Sequence, residues 1–328
     1  MVLGRRSLAA VQMIQDGRRW LRSHLLRQAW IADQFSRPDA HEESVLDTIL
    51  CDTYREALRR TVRPGDIVLD LGASTGLLSF FAIQAGARHV YAVEMSTIAE
   101  VAAKLIKANG LEDRISLIRE NSAKVTLPEA ADVLVTDAFG SMCFDDEDIV
   151  RYVVDARRRL LKPGARIIPG VCRAYLTPFS SDQFGPGRLP PRLYGLDYQA
   201  LRERRFASVY GVTVNSGSFA CLGPHRRFAE VDFYNACSAP GATSVTFSAS
   251  VDGRLDGFLG WFESELCDKV VLSNAPHLPT TCWRQLCFPV IEQPRVRPGD
   301  LILLTLDPAM IAGEAHWKYR VEVSSTRS

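Results

Sequence analysis

Lysine is scarce in this chain: six of its 39 basic residues are lysine and the rest are arginine. That bias is a compositional mark of a GC-rich genome and carries no physical argument. An excess of one charge is also missing. The 39 basic side chains face 38 acidic ones, for a formal net charge of +1. This argues against a nucleic-acid binder driven by bulk charge and leaves a local basic patch open. No apolar run approaches the roughly 18 residues a membrane-spanning helix needs. The most apolar stretch, Leu301 to Leu306, has the length of a strand, so no membrane partner is expected. The N-terminus has Arg5 and Arg6 but no apolar stretch ending in a cleavage site, and no secretory signal is read from it. The eight cysteines contain no C-x-x-C pair. They are read as reduced thiols of a cytoplasmic protein, with neither a disulfide framework nor a metal site. Internal repeats and low-complexity segments are absent as well.

What is present is an ordinary globular balance, 47% hydrophobic and 23% charged over 328 residues, enough for two domains with a sizeable core. Two textures meet near Pro169. Before it, strand patterns at Ile67–Leu71, His89–Glu94, Ile115–Ile118 and Asp132–Thr136 alternate with helical patterns. Ile98, Val101, Ala102, Leu105 and Ile106 fall on one helical face, Thr97 and Glu100 make a capping box, and Asn109-Gly110 is a stop signal. Such alternation predicts an α/β fold with a parallel sheet. After Pro169, short strand patterns dominate: Val245–Val251, Asp256–Glu263, Trp283–Ile291, Asp300–Leu306 and Trp317–Val323. Asp252-Gly253 reads as a hairpin turn. These patterns predict a β-barrel or a sandwich. Residues 180–191 are rich in glycine and proline and read as a loop or an irregular arm. Residues 1–40 read as an amphipathic N-terminal helical segment, packed on the body or acting as a lid.

The most informative stretch is Val68 to Leu78, in which a strand ends at Asp70-Leu71, a small-residue turn follows through Gly72, Ser74 and Gly76, and a helix begins. Such a turn lets a ligand approach backbone N–H groups closely. A dinucleotide site wants G-x-G-x-x-G, but Ser74 and Leu77 occupy the second and third glycine positions, so a nicotinamide cofactor ranks low. Glu94 ends the next strand, where a carboxylate accepts hydrogen bonds from ribose hydroxyls. Asp70 suits an amine or cation and would repel a pyrophosphate. Acid, glycine turn and ribose acid together describe S-adenosyl-L-methionine. Asn121 and Ser122, after the third strand, sit where an adenine contact is expected, or form only a turn.

At these residues the chain resembles the protein arginine methyltransferases. The resemblance runs from about His41 to Val323 through His41-Glu-Glu43, Val68–Gly76, Asp132–Asp137, Ile168-Pro169, Tyr194–Asp197, Leu272–Pro276 and Thr281–Gln285. It implies a Rossmann-like domain binding S-adenosyl-L-methionine over 41–168. A C-terminal β-barrel over 169–328, a dimerisation arm near 180–206 and a head-to-tail homodimer follow from it too. His41 then touches the cofactor, or else caps a helix or fills the core.

The departures cluster around the acceptor pocket. The family's two guanidinium-gripping glutamates fall at Asp137 and at Asp146, or at Asp145 if the loop is one residue shorter. Each carboxylate is withdrawn by a C–C bond, so the bidentate grip should not carry over unchanged. Asp146 also lies in an acidic run ahead of a helix ending in Arg157, Arg158 and Arg159, which suits the helix dipole without any chemistry. The family's threonine-histidine-tryptophan loop reads Thr281-Cys282-Trp283, with Cys282 inert and Trp283 a pocket wall or a core residue. The tyrosines of an N-terminal motif are missing near Ile31–Phe35, and an arginine for the cofactor carboxylate is replaced by Leu50. A kept donor site beside an altered cation grip points to a bacterial branch acting on a small-molecule acceptor, aromatic or indolic, in secondary metabolism. The alternatives are a protein arginine N-methyltransferase and an inactive scaffold that binds S-adenosyl-L-methionine.

Overall fold

The computed structural model describes residues 38–144, 149–311 and 314–325. Most of the expected N-terminal helical lid, the Ile31–Phe35 segment and the acids Asp145 and Asp146 therefore lie outside the described residues. Two helices open the described chain: α1, Pro38–Leu46, and α2, Thr48–Thr61. Asp47 caps α2, its carboxylate accepting the N–H groups of Ile49 and Leu50 at 3.0 Å each. Leu50, Tyr54, Ala57 and Leu58 put a fully buried stripe onto the core.

Five parallel strands follow: β1 Ile67–Leu71, β2 His89–Val93, β3 Ile115–Ile118, β4 Ala131–Val135 and β5 Leu161–Ile168. They are ordered β3-β2-β1-β4-β5. β1 is central and buried along its whole length, which its unbroken apolar pattern around Asp70 requires. Helices α3 (Leu77–Gln84), α4 (Ala99–Ala108) and α5 (Ile149–Arg159) connect the strands. The topology reverses between β1 and β2 on one side and β4 on the other, which is where open α/β sheets bind ligands.

Past Pro169 the sheets turn antiparallel. Strand β6, Val171–Ser180, and the long strand Gly257–Cys267 form the spine of a seven-stranded sheet. A three-stranded sheet pairs Thr243–Ser248 with Leu301–Ile311 and that strand with Glu314–Ser324. The two sheets close on a shared apolar interior, where Phe247 meets Phe258 at 5.4 Å and Phe288 meets Trp317 at 5.2 Å. The architecture is an α/β Rossmann-like core joined to a barrel-like antiparallel half. No described helix is long and apolar enough to cross a membrane.

Two local expectations change. The helix expected to start from a Thr97 capping box begins at Ala99 after Ile98; Val101 and Leu105 are exposed, so of the five residues of the expected face Ile98, Ala102 and Ile106 are buried. Asp252-Gly253 is not a hairpin turn, because the strands on either side of it belong to different sheets and Gly253 pairs with Val296 instead. Residues 181–191 run irregularly, as expected of a loop, apart from a short turn at Pro186–Arg188; beyond them Arg192–Leu193 pairs with Leu196–Asp197 around Tyr194 and Gly195, and helix α6, Gln199–Arg205, follows. Arg202 of α6 is buried and donates to the carbonyls of Pro186 and Leu189, which pins the arm to itself.

One contact ties α2 to the end of β4. The hydroxyl of fully buried Tyr54 donates to the Thr136 carbonyl at 2.8 Å, one residue before Asp137. Tyr54→Phe removes that donor and strands a buried acceptor. It is expected to destabilise the fold by about 1–2 kcal/mol in urea titration, and a change within error would show that the bond carries nothing.

Candidate active site

The turn after β1 is shaped by backbone that only certain residues tolerate. Gly72, Ser74 and Gly76 have φ values of +77°, +53° and +89°. A Cβ at Gly72 would lie 3.3 Å from the Ala138 Cβ, so two βα loops meet here at the closest approach glycine allows. Gly76 then caps α3 in the left-handed conformation. The turn opens into a cavity of about 260 Å³, and Gly72, Ala73, Ser74 and Thr75 form one wall of it.

Glu94 lines the cavity beside this turn. It is buried, and its Oε2 accepts the Ser74 N–H at 2.9 Å while Oε1 accepts the Ser96 N–H at 2.7 Å. Each oxygen keeps a further lone pair for a ribose hydroxyl. His41 of α1 reaches the same turn, its Nδ1 2.5 Å from the Ser74 hydroxyl. Asn121 and Ser122 line the far end. The Asn121 side chain accepts the Ala123 N–H at 3.0 Å and donates to the Tyr152 hydroxyl at 3.5 Å. So Asn121 is at once a turn former and part of the cavity.

Not every expected residue reaches the cavity. Asp70 is wholly buried behind it, accepting the Ser79 hydroxyl of α3 at 2.6 Å, while its Oδ1 has no hydrogen-bond partner. It braces the strand–turn–helix unit from inside and does not face a ligand directly. Gly76 also stands off the wall as the helix cap. Leu50 is fully buried in the core, so nothing at that position is placed to meet a cofactor carboxylate. His41 and the Ser74 hydroxyl are the polar groups the cavity presents in that quarter.

The acceptor end is built from both halves of the molecule. Asp137, two residues past β4, is half-buried and lines the cavity with Cys282 and Trp283 of the antiparallel half. The Trp283 ring stacks on fully buried Phe139 at 5.2 Å and 12° and meets Phe262 edge-on at 5.6 Å. It is therefore both pocket wall and packed residue. The Cys282 N–H donates to Asp47 at 2.7 Å, fastening this loop to the cap of α2. Burial pushes the Cys282 thiol up to about 12, with the Asp47 charge adding to it, so it stays protonated and un-nucleophilic.

The electrostatics are those of a site for cations. Burial and the neighbouring Glu94 charge push the Asp137 carboxyl up to about 6. Burial, then Asp137 and Glu94, raise Asp70 to about 7 against the Ser79 hydrogen bond. A positive group entering between these acids lowers the field each imposes on the others. The loop, the Glu94 clamp and the acids thus suit a nucleoside that carries a sulfonium.

Sequence reading missed Met95, Tyr152 and Ser44, all on the cavity wall. Met95 was within reach as the neighbour of Glu94. Tyr152 comes from a helix whose pattern carries no ligand signal, and only packing brings it here.

Comparison with known proteins agrees with this geometry. The family model described as ribosomal protein L11 methyltransferase (PrmA) matches residues 48–170. The chain is 34% identical to protein arginine N-methyltransferase 6 of Danio rerio, over 77% of this chain and 76% of that protein. It is 32% identical to a probable histone-arginine methyltransferase 1.3 of Arabidopsis thaliana, over 77% of this chain and half of the other. The Trypanosoma brucei PRMT1 enzyme–prozyme heterotetrameric complex with AdoHcy contains a chain that superposes with a TM-score of 0.79 at 23% identity, covering 90% of this chain and 96% of that one. Fold and site together define a methyltransferase that uses S-adenosylmethionine as its methyl donor. The chain belongs to the protein arginine methyltransferase family.

That membership overturns the expected small-molecule acceptor and, with it, the indole and secondary-metabolism reading. The finding that overturns it is the likeness to protein arginine methyltransferases at 34% and 32% identity; within the site, Glu94 and Asp137 line one cavity, and two carboxylates attract a positive group more than a neutral ring. The expected head-to-tail homodimer gains nothing from the Trypanosoma assembly, which is a heterotetramer.

The raised Asp70 carboxyl has a consequence for stability. Its folded pKa lies above the ordinary carboxylate value of 3.8, so folding takes up a proton and this group's contribution to stability falls as pH rises from about 4 to about 7. Asp70→Asn keeps an acceptor for Ser79 and carries no charge. Its Tm relative to the parent is expected to be higher at pH 8 than at pH 5; the reverse order would mean that Asp70 is held ionised.

Proposed function

We propose that the chain is a protein arginine N-methyltransferase. The observation that carries this is Asp137, a half-buried carboxylate that shares one cavity with the ribose-type acid Glu94 and with Trp283. The relatives named above methylate arginine in proteins by name, and their likeness supports the same acceptor here.

S-adenosylmethionine, when bound, supplies a methyl group already activated on a positive sulfur. What remains for the protein is alignment, exclusion of water and stabilisation of charge. The 72–75 loop, His41, Glu94, Asn121 and Ser122 hold the donor. Asp70 fixes the loop from behind through Ser79. Asp137 accepts hydrogen bonds from the acceptor guanidinium and turns a terminal nitrogen toward the donor; as the N–C bond forms and the S–C bond breaks, one N–H proton passes through the Asp137 carboxylate to solvent, leaving a neutral thioether and a methylated guanidinium. Trp283, locked against Phe139, closes the acceptor side. Asp146 is the second acid of this grip in our reading.

We also read 41–168 as the cofactor domain, 169–328 as the acceptor-side domain and 180–206 as its arm, a division supported by the change from parallel to antiparallel pairing between Ile168 and Val171. Eight free thiols support a reducing, cytoplasmic setting.

The test is transfer from labelled S-adenosylmethionine to an arginine-rich peptide and to the same peptide with lysine at every arginine. Label should enter only the first, and equal labelling of both, or of neither, overturns the proposal. Asp137→Asn should lower kcat/KM by about 100-fold or more while S-adenosylhomocysteine still binds. Because the Asp137 carboxyl sits at about 6 and works ionised, kcat/KM should climb through about pH 6 and level off above about pH 7. A profile flat from pH 5 to 8 would remove Asp137 from the mechanism.

A further inference from the structure

A second cavity, of about 570 Å³, opens where the arm leaves the antiparallel half. Its lining shares no residue with the catalytic cavity, although Trp283 walls one and Arg284 the other. The two differ in sign. Glu43, Glu94, Glu120 and Asp137 line the first; Arg188, Arg205 and Arg284 line the second, and no carboxylate does. An arginine-rich acceptor would be repelled from it, so it does not extend the acceptor groove.

The arginines are set in place by the fold. The Arg205 guanidinium carbon lies 4.2 Å from the centroid of the Tyr210 ring. Tyr210 is itself held, its hydroxyl accepting the Gly185 N–H at 3.1 Å. The Arg284 side chain lies across Gly211, where a Cβ would come within 3.3 Å of its Cδ. That strand position leaves room for a guanidinium arm that any larger residue would displace. Among the described residues none of the three arginines has a carboxylate partner. Phe184 and Phe206 supply an apolar aromatic inner wall.

Three unneutralised guanidiniums at the mouth of an aromatic-walled cavity match an anion with more than one acceptor oxygen, carried on a planar body. The volume falls within the range of about 300–1,000 Å³ typical of organic ligands and exceeds what inorganic phosphate needs. We propose that this cavity binds a phosphomonoester that also carries a planar aromatic ring, as nucleoside monophosphates do through their sugar. The phosphate sits among Arg188, Arg205 and Arg284, and the ring lies against the Phe184–Phe206 wall.

The test is titration calorimetry on the full chain saturated with S-adenosylhomocysteine, which fills the catalytic cavity. The titrants are guanosine monophosphate, guanosine and inorganic phosphate. The nucleotide should bind at least about tenfold more tightly than either fragment. Arg205→Gln and Arg188→Gln should each weaken it by about tenfold or more while Tm and S-adenosylhomocysteine affinity stay unchanged. Absence of nucleotide binding overturns the proposal. So does phosphate binding as tight as the nucleotide's, which would leave the aromatic wall without a role, or nucleotide affinity indifferent to both substitutions. None of these outcomes bears on the arginine-methylation reading, which concerns the other cavity.

Discussion

Glu94 ties two loops together with one side chain. Its carboxylate takes the Ser74 N–H on one oxygen and the Ser96 N–H on the other. The first loop follows β1 and the second follows β2, so the carboxylate sets the spacing of neighbouring βα units at the switch point of the sheet. A neutral amide of the same shape offers one oxygen, not two, and would leave a backbone N–H facing an amino group. Gly72 and Gly76 adopt positive φ at no steric cost, whereas Ser74 at φ +53° bears one, and it is the Ser74 N–H that the Glu94 carboxylate holds.

From this anchor the electrostatics follow. Glu94, Asp137 and Asp70 crowd behind and around one cavity, and burial together with their mutual repulsion raises the latter two. Left alone, such a cluster favours protons. On the proposed reading, a sulfonium nucleoside and a guanidinium would take the place of those protons, with binding energy concentrated where charge must be held during methyl transfer. The antiparallel half contributes shape to this end. Trp283 is stacked on Phe139 and its loop is fastened to Asp47, so this wall of the cavity is held from two sides.

Four of the five parallel strands were legible from the sequence because each is short, apolar and bounded by turn residues. The fifth, Leu161–Ile168, is interrupted at Pro163 and Gly164, where φ of Gly164 is +75° and the pairing with β4 jumps from Leu161 to Arg166, so no continuous strand pattern runs through it. Strand β6 carries Arg173 and Pro178, which mask an alternation that the burial pattern then shows. The Thr97 capping signal yielded to a start at Ala99 because packing of Ile98 and Ala102 decided the register of that helix. The Asp252-Gly253 signal was overridden when its flanking strands joined different sheets.

The donor site was set by local rules: glycine where φ must be positive, an acid at the end of the following strand, small residues where backbone approaches ligand. Such rules act over a few residues, so one sequence suffices to read them. The acceptor was decided elsewhere. Asp137 and Trp283 are 146 positions apart in the chain, and whether they face a cation or a neutral ring depends on which charges lie around them once both domains are packed. Asp70 shows the same limit: its place in the motif suggested a ligand contact, and burial turned it into a brace. Burial and the field of distant neighbours are properties of the folded whole, and residue order alone does not contain them.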